Sequence, residues 1–276
     1  MQVPLSSIEE TVHAALNEDI GSGDITAELI AADSIALASV TTREDCVFCG
    51  MDWFDEVFRQ LDEDVFIEWH VQDGDKVAAD SLLCSLSGAA RSLLSGERTA
   101  LNFVQTLSAT ATATHAYASA IAHTSCRILD TRKTLPGLRL AQKYAVACGG
   151  GENHRIGLFD AVLIKENHII ACGGLREAVE EARFRDPEIF VEVEVEDLAQ
   201  LHQALQTATD RILLDNFSLD MLREAVTANA GKKQLEASGN VTLDNIATIA
   251  ETGVDFISTG AITKHIRAID LSMRFD

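Results

Sequence analysis

Proline is scarce in this chain of 276 residues, at 3 in total, and no low-complexity tract interrupts it, which excludes a linker-rich or disordered organisation. Positive charge is scarce too: 22 Lys and Arg stand against 43 Asp and Glu, a formal net charge of −21. So acidic a chain lacks the broad basic field that nucleic acid or an anionic membrane surface requires, and neither is expected as a partner. No apolar run reaches the ~20 residues of a membrane span, and the start MQVPLSSIEE has neither the basic nor the apolar region of a secretory signal, so a cytoplasmic protein is expected. Cys46 and Cys49 form one CxxC, but the second pair that a zinc site of this type wants is missing. The six cysteines therefore read as reduced, mostly buried core residues.

What is present is 47% hydrophobic residues, enough for a sizeable core, in a length that suits one barrel-sized domain with a smaller companion. The first hundred residues mix a helical start (8–17), a charged EDIGSGD loop and alternating stretches at 36–42 and 65–71, the signature of an α+β domain. Residues 96–122 carry Leu101, Val104, Leu107 and Ala111 at helical spacing, predicting a long buried helix with the domain boundary within or just before it. From Arg127 onward, six short β-rich runs (RILDT, AVLIKEN, FVEVEVE, RILLDNF, QLEASGN, DFISTG) alternate with helical segments. Among these, Leu175, Ala178, Val179 and Ala182 share one face, as do Leu219, Leu222 and Val226 behind a candidate N-cap at Ser218. Such alternation predicts a parallel sheet closed into a barrel or wound on both faces. No GxGxxG follows the first strand, so the barrel is favoured over a dinucleotide fold.

In parallel α/β sheets, ligands bind beyond the carboxyl ends of the strands, and here every run ends in reactive or anion-binding residues. The ends supply Asp130-Thr131-Arg132-Lys133, then Lys165-Glu166 with His168, Glu194 with Glu196, Asp215-Asn216, Ser238-Gly239-Asn240 and Ser258-Thr259-Gly260. Arg98, Arg132, Lys133, His154, Arg155 and Lys165 are candidate members of a local positive pocket against the global charge. A mix of forked guanidiniums and point-charge ammoniums suits a ligand with several separate anionic groups. Taken singly, each could as easily make a surface salt bridge; Arg132-Lys133 on a strand end is the pair for which that reading is weakest.

In FVEVEVE, alternation sends Val191, Val193 and Val195 to one face and Glu192, Glu194 and Glu196 to the other. With the valines packed outward, the glutamates point into the barrel, where they repel one another unless a cation or hydroxyl-rich ligand sits among them. The alternative is an edge strand with a solvated acidic face. Glu194 and Asp215, on successive strands, are the expected holders of Mg²⁺ or of ribose hydroxyls. Gly239 and Gly260 lie in turns before helices expected to start at VTLDN and AITKH, whose free N–H groups suit a phosphate.

The segments EDIGSGDIT, GERTALNF, DTRKTLPGLR, KYAVACGGGENHRIGLFDAVLIKENHI, EVEVE, LLDN, EASGN and GVDFISTGAIT together resemble the quinolinate phosphoribosyltransferase family, from about Glu18 to the C-terminus. The resemblance implies an α/β protein: an incomplete, seven-stranded α/β barrel at 109–266 with an N-terminal open α/β sandwich at 1–108, rejoined by 267–276. It implies quinolinate and phosphoribosyl pyrophosphate as substrates, Mg²⁺ as cofactor, and nicotinate mononucleotide, pyrophosphate and CO₂ as products. It also implies a homodimer or larger assembly in which Arg98 reaches the neighbouring subunit's site. The matching substrate positions are Arg98, Thr131, Arg132, Lys133, His154, Arg155, Lys165, Glu194, Asp215, Ser238, Gly239, Asn240, Thr259 and Gly260. Among them Lys133, Lys165, Glu194 and Asp215 are expected to act in catalysis, and Glu194 and Asp215 to hold Mg²⁺ directly or through substrate. Asn240 departs from the family's usual second glycine in SGG. A sister phosphoribosyltransferase with another anionic acceptor, and a silent metabolite-binding regulator on the same scaffold, are the two rival readings.

Overall fold

A computed structural model describes residues 1–275; Asp276, the last residue of the expected returning tail, lies outside the described residues. Along the chain run α1 (Leu5–Ile20), β1 (Ile35–Thr42), β2 (Cys46–Val47), α2 (Met51–Leu61), β3 (Phe66–Trp69), β4 (Lys76–Val77), β5 (Leu82–Ala89) and α3 (Ala90–Ala120). Then come β6 (Arg127–Leu129), α4 (Arg139–Cys148), β7 (Val162–Ile164), α5 (Glu166–Cys172), α6 (Leu175–Arg185), β8 (Val191–Val195), α7 (Leu198–Ala204) and β9 (Arg211–Asp215). The last elements are α8 (Leu219–Asn229), β10 (Gln234–Ser238), α9 (Ile246–Ala250), β11 (Phe256–Ser258), α10 (Ala261–Lys264) and β12 (Leu271–Phe275).

The described residues form two compact units: 1–115, 135–150 and 265–275 make the first, 116–134 and 151–264 the second. In the first, an antiparallel sheet of order β12-β1-β5-β3 stands beside the two-stranded ribbon β2-β4. Its core draws on Ile8, Val12 and Leu16 of α1, on Trp53, Phe54, Val57 and Phe58 of α2, and on the Leu101, Val104, Leu107 and Ala111 stripe of α3. α3 starts six residues before the Gly96 at which the sequence placed it, because it springs directly from the end of β5. Gly96 is instead a packing position: a Cβ there would sit 2.7 Å from the Phe58 ring, so its absence lets α2 come close.

The second unit holds six parallel strands in the order β6-β11-β10-β9-β8-β7, matching the six runs read from the sequence. Chain neighbours sit side by side from β7 to β11, and β6 then pairs with β11. A closed ring would require β6 to pair with β7 as well; among the described residues it does not, and the barrel is incomplete. In place of the seventh strand that the family resemblance implied, a single parallel bridge joins Leu129 to Glu152 beside β6. β8 is an inner strand between β7 and β9, which rules out the solvated edge reading of its glutamates. Ser218 caps α8 as its sequence suggested, its hydroxyl accepting the Met221 N–H at 3.3 Å. Among the described residues no helix is long and apolar enough to cross a membrane.

Candidate active site

Because all six strands of the second unit are parallel, their carboxyl ends face one way and bring their terminal residues to one rim. Beyond β6, the Lys133 N–H bonds the Thr131 hydroxyl at 3.0 Å, and the Lys133 carbonyl accepts the Thr263 hydroxyl at 2.8 Å. Gly260 lies so close that a Cβ there would meet Lys133 Cδ at 2.8 Å and Thr131 Oγ1 at 3.3 Å. The ends of β6 and β11 thus form one cradle, which a side chain at 260 would fill. Thr259 is buried; its N–H bonds the Leu129 carbonyl at 3.1 Å, and its hydroxyl accepts the Ala261 N–H at 3.2 Å.

The GGGENHR segment is tied to two strands. Asp130, fully buried at the end of β6, accepts the Asn153 amide at 2.7 Å and the His154 N–H at 2.9 Å. The His154 ring lies over the sheet, with Nδ1 accepting the Arg155 N–H at 2.7 Å, so in the neutral ring the proton belongs on Nε2. That Nε2 is 2.8 Å from Glu192 and 3.5 Å from Glu236. Arg155 is half-buried, and its pKa is held down by burial first and by the nearby Arg132 charge second. Glu192 and Asp160 offset part of that repulsion, and a dicarboxylate or a phosphate at the rim would offset more.

Along β8 and just past its end, the glutamates grade from buried to exposed: Glu192 is 1% exposed, Glu194 is half-buried and Glu196 is exposed. Both carboxylate oxygens of Glu192 and one of Glu236 are buried without an aligned hydrogen bond among the described residues. Burial pushes the Glu192 carboxyl up, offset in part by Arg211. Burial and then the Glu192 charge push Glu236 up to about 8. Arg211, clamped between the Phe190 and Phe256 rings at 5.1 and 4.2 Å, bonds the other Glu236 oxygen at 3.2 Å. Sequence alternation placed Glu192 inside but missed Glu236 and Arg211. The signal was there: Glu236 stands between the apolar Leu235 and Ala237 in the middle of β10, and Arg211 opens β9 ahead of Ile212-Leu213-Leu214.

At the rim itself, the Lys165 ammonium pairs with Glu194. Asp215 Oδ2 accepts the Asn216 amide at 2.8 Å. Asn216 and Asn240 both take left-handed backbone, φ 55° and 50°, and the Asn240 side-chain amide donates to the side-chain Oδ1 of Asn216 at 3.2 Å. Asparagine tolerates that conformation better than most residues. The Asn240 side chain is therefore spent on a turn-to-turn bond at the ends of β9 and β10, next to Ser238 and to Gly239 at φ 98°. The helix expected at AITKH starts there, at Ala261, as a single turn, whereas the one expected at VTLDN starts only at Ile246, after turn backbone that runs on from the end of β10. Arg98 belongs to the other compact unit, on α3.

A parallel α/β sheet whose rim gathers paired guanidiniums, two lysines, glycine turns and two half-buried carboxylates defines a transferase of the class that handles a phosphorylated sugar and an anionic partner. Residues 24–108 match the family described as quinolinate phosphoribosyl transferase, N-terminal domain, and residues 110–274 match its C-terminal domain. The chain belongs to this family. It is 41% identical to the rice protein "Nicotinate-nucleotide pyrophosphorylase [carboxylating], chloroplastic" over 99% of this chain and 79% of that one. It is 40% identical to the Bacillus subtilis "Probable nicotinate-nucleotide pyrophosphorylase [carboxylating]" over 93% of this chain and 89% of that one. A solved nicotinate-nucleotide pyrophosphorylase from Francisella tularensis superposes with a TM-score of 0.98 at 50% identity, covering 100% of this chain and 98% of that one.

Proposed function

We propose that this protein joins quinolinate to phosphoribosyl pyrophosphate, releasing pyrophosphate and CO₂ and forming nicotinate mononucleotide for de novo NAD synthesis. The observation that carries the reading is the rim of the parallel sheet, where Arg132, Lys133, Arg155 and Lys165 gather on a chain of net charge −21 beside the cradle at Gly260, a receptor for compact polyanions. The pyridine nitrogen attacks the anomeric carbon through a lone pair that bears no proton, so no general base is needed; positioning and electrostatics do the work. Arg132, Arg155 and Lys165 hold the two carboxylates. The cradle of Thr131, Lys133, Thr259 and Gly260, with Ser238, Gly239 and Asn240, receives the sugar phosphates through backbone N–H groups and the Lys133 charge. Glu194 and Asp215 take the ribose hydroxyls and face the positive charge that develops at the anomeric carbon.

Glu194 and Asp215 offer hard oxygen donors that suit Mg²⁺. Because Glu194 is already paired with Lys165 and one Asp215 oxygen with Asn216, these residues fit an ion held partly through the substrate. Bound there, Mg²⁺ would neutralise charge on the departing pyrophosphate. After transfer the cationic ring nitrogen takes up the electrons freed as the neighbouring carboxylate leaves as CO₂. The ring carbon then needs a proton. His154 Nε2 is turned towards Glu192, whereas the Lys133 side chain is exposed, so Lys133 is the donor we favour.

The protein acts in the cytoplasm as a homodimer or larger assembly with Arg98 completing the neighbour's site. Mixing inactive Arg98→Ala and Asp215→Ala chains tests this: recovered activity supports a shared site, and none refutes it. The reaction itself is tested by incubating the protein with quinolinate, phosphoribosyl pyrophosphate and Mg²⁺. Equal yields of CO₂ and mononucleotide are expected; formation of neither would refute the assignment.

A further inference from the structure

The CxxC read from the sequence does not act as a pair. Cys46 contacts the Thr42 hydroxyl, while Cys49 turns to Cys148, ninety-nine residues further on. Cys49 Sγ, Cys148 Sγ and a carboxylate oxygen of Asp73 lie within 4.8 Å of one another, all inside the first unit. We propose that Cys49, Asp73 and Cys148 form a binding site for a thiophilic divalent cation of the zinc class, separate from the phosphoribosyl site.

The three donors come from three segments: the turn entering α2, the turn after β3, and the last residue of α4. Asp73 is held from behind, one oxygen accepting the Gly50 and Met51 N–H groups at 2.8 and 3.3 Å, the other the Tyr144 hydroxyl at 2.8 Å. Tyr144 and Cys148 are four apart and so share one face of α4. Outer hydrogen bonds to a ligating carboxylate are the support that metal sites characteristically carry.

The electrostatics fit a cation. Asp73 is half-buried beside two thiols, and no Lys or Arg side chain pairs with it among the described residues; the positive group that acts on Cys148 is the chain's N-terminal ammonium. A divalent ion would turn this mismatch into attraction. Two sulfurs and one carboxylate select a zinc-like ion over Mg²⁺ or Ca²⁺, which prefer all-oxygen sets, and three protein ligands leave a fourth tetrahedral position for water. Cys49 is fully buried, but Cys148, Asp73 and Tyr144 are each partly exposed, which gives the ion a way in. Binding forms two metal–sulfur bonds and releases the two thiol protons, with no change of oxidation state. It would clasp α4 to the turns at 46–51 and 73.

The test uses the full chain carrying Cys172→Ser, which removes the exposed thiol, freed of metal by a chelator and titrated with Co²⁺. One Co²⁺ per chain is expected, with sulfur-to-cobalt charge-transfer absorption, displacement by Zn²⁺ and release of about two protons per ion. Adding Cys148→Ser should abolish the sulfur absorption, and Tyr144→Phe should weaken binding about 10-fold. The proposal is overturned if the Cys172→Ser chain gives no charge-transfer band, if the band survives Cys148→Ser, or if Cys49 and Cys148 join as a disulfide that binds no cobalt. The first outcome needs no further variant to fold, and none of them bears on phosphoribosyl transfer.

Discussion

Strand β8 carries two glutamates two residues apart with different fates. Glu192 lies on the floor of the sheet, against Glu236 and His154, its carboxyl pushed up by burial. Glu194, one pleat higher, is half-buried and meets Lys165 in an ion pair. The residue type and the face are the same, so depth alone assigns the role. A buried carboxylate tends to give up its charge and props the residues above it, whereas one at the rim keeps a cation or a hydroxyl as partner.

The sharpest break in this comparison comes from the floor. Arg211→Ala removes the hydrogen bond to Glu236 and the guanidinium packed between the Phe190 and Phe256 rings, and should cost about 2–4 kcal/mol of folding stability by denaturant unfolding. At the rim, Arg132→Ala should leave the unfolding midpoint nearly unchanged and instead cost about 2–4 kcal/mol in kcat/KM. Floor and rim should also part in pH dependence. Glu236 has a folded pKa raised from 4.5 to about 8, so between those values the unfolded chain has released a proton that the folded chain retains. Stability from this group is full below pH 4.5 and is lost as pH rises towards 8; Glu236→Gln should flatten that fall in a pH series of unfolding curves. Glu194→Gln, which breaks a half-exposed ion pair, should move stability by about 1 kcal/mol or less while sharply lowering turnover. The smallest effect is expected from Asn240→Gly, which trades one hydrogen bond for an easier left-handed backbone and should shift stability by about 0.5 kcal/mol or less.

The parallel sheet was legible in the sequence because its strands are short β-rich runs that alternate with helices carrying clear stripes such as Leu175, Ala178 and Val179. The rim was legible for the same reason: strand ends are fixed by chain order, so Arg132, Lys165, Glu194 and Asp215 could be assigned to one side before any coordinates. Contacts between distant segments were not. Nothing local to Glu236 or Arg211 says that they meet, nor that Cys49 faces Cys148 and not its CxxC partner. Asn240 shows the same limit. It stands where the family usually has glycine, and its side chain bends away to Asn216, a choice made by backbone φ that sequence spacing does not reveal. The start of α3 was misplaced because Gly96 has the look of a helix boundary, while the Phe58 ring that requires it lies 38 residues upstream.

The central claim is that the clustered guanidiniums and lysines read two carboxylates at once. Its most direct measurement compares kcat/KM for quinolinate and for nicotinate, with phosphoribosyl pyrophosphate and Mg²⁺ held constant. Quinolinate should be turned over with one CO₂ per mononucleotide and nicotinate scarcely at all; equal or better turnover of nicotinate would contradict it.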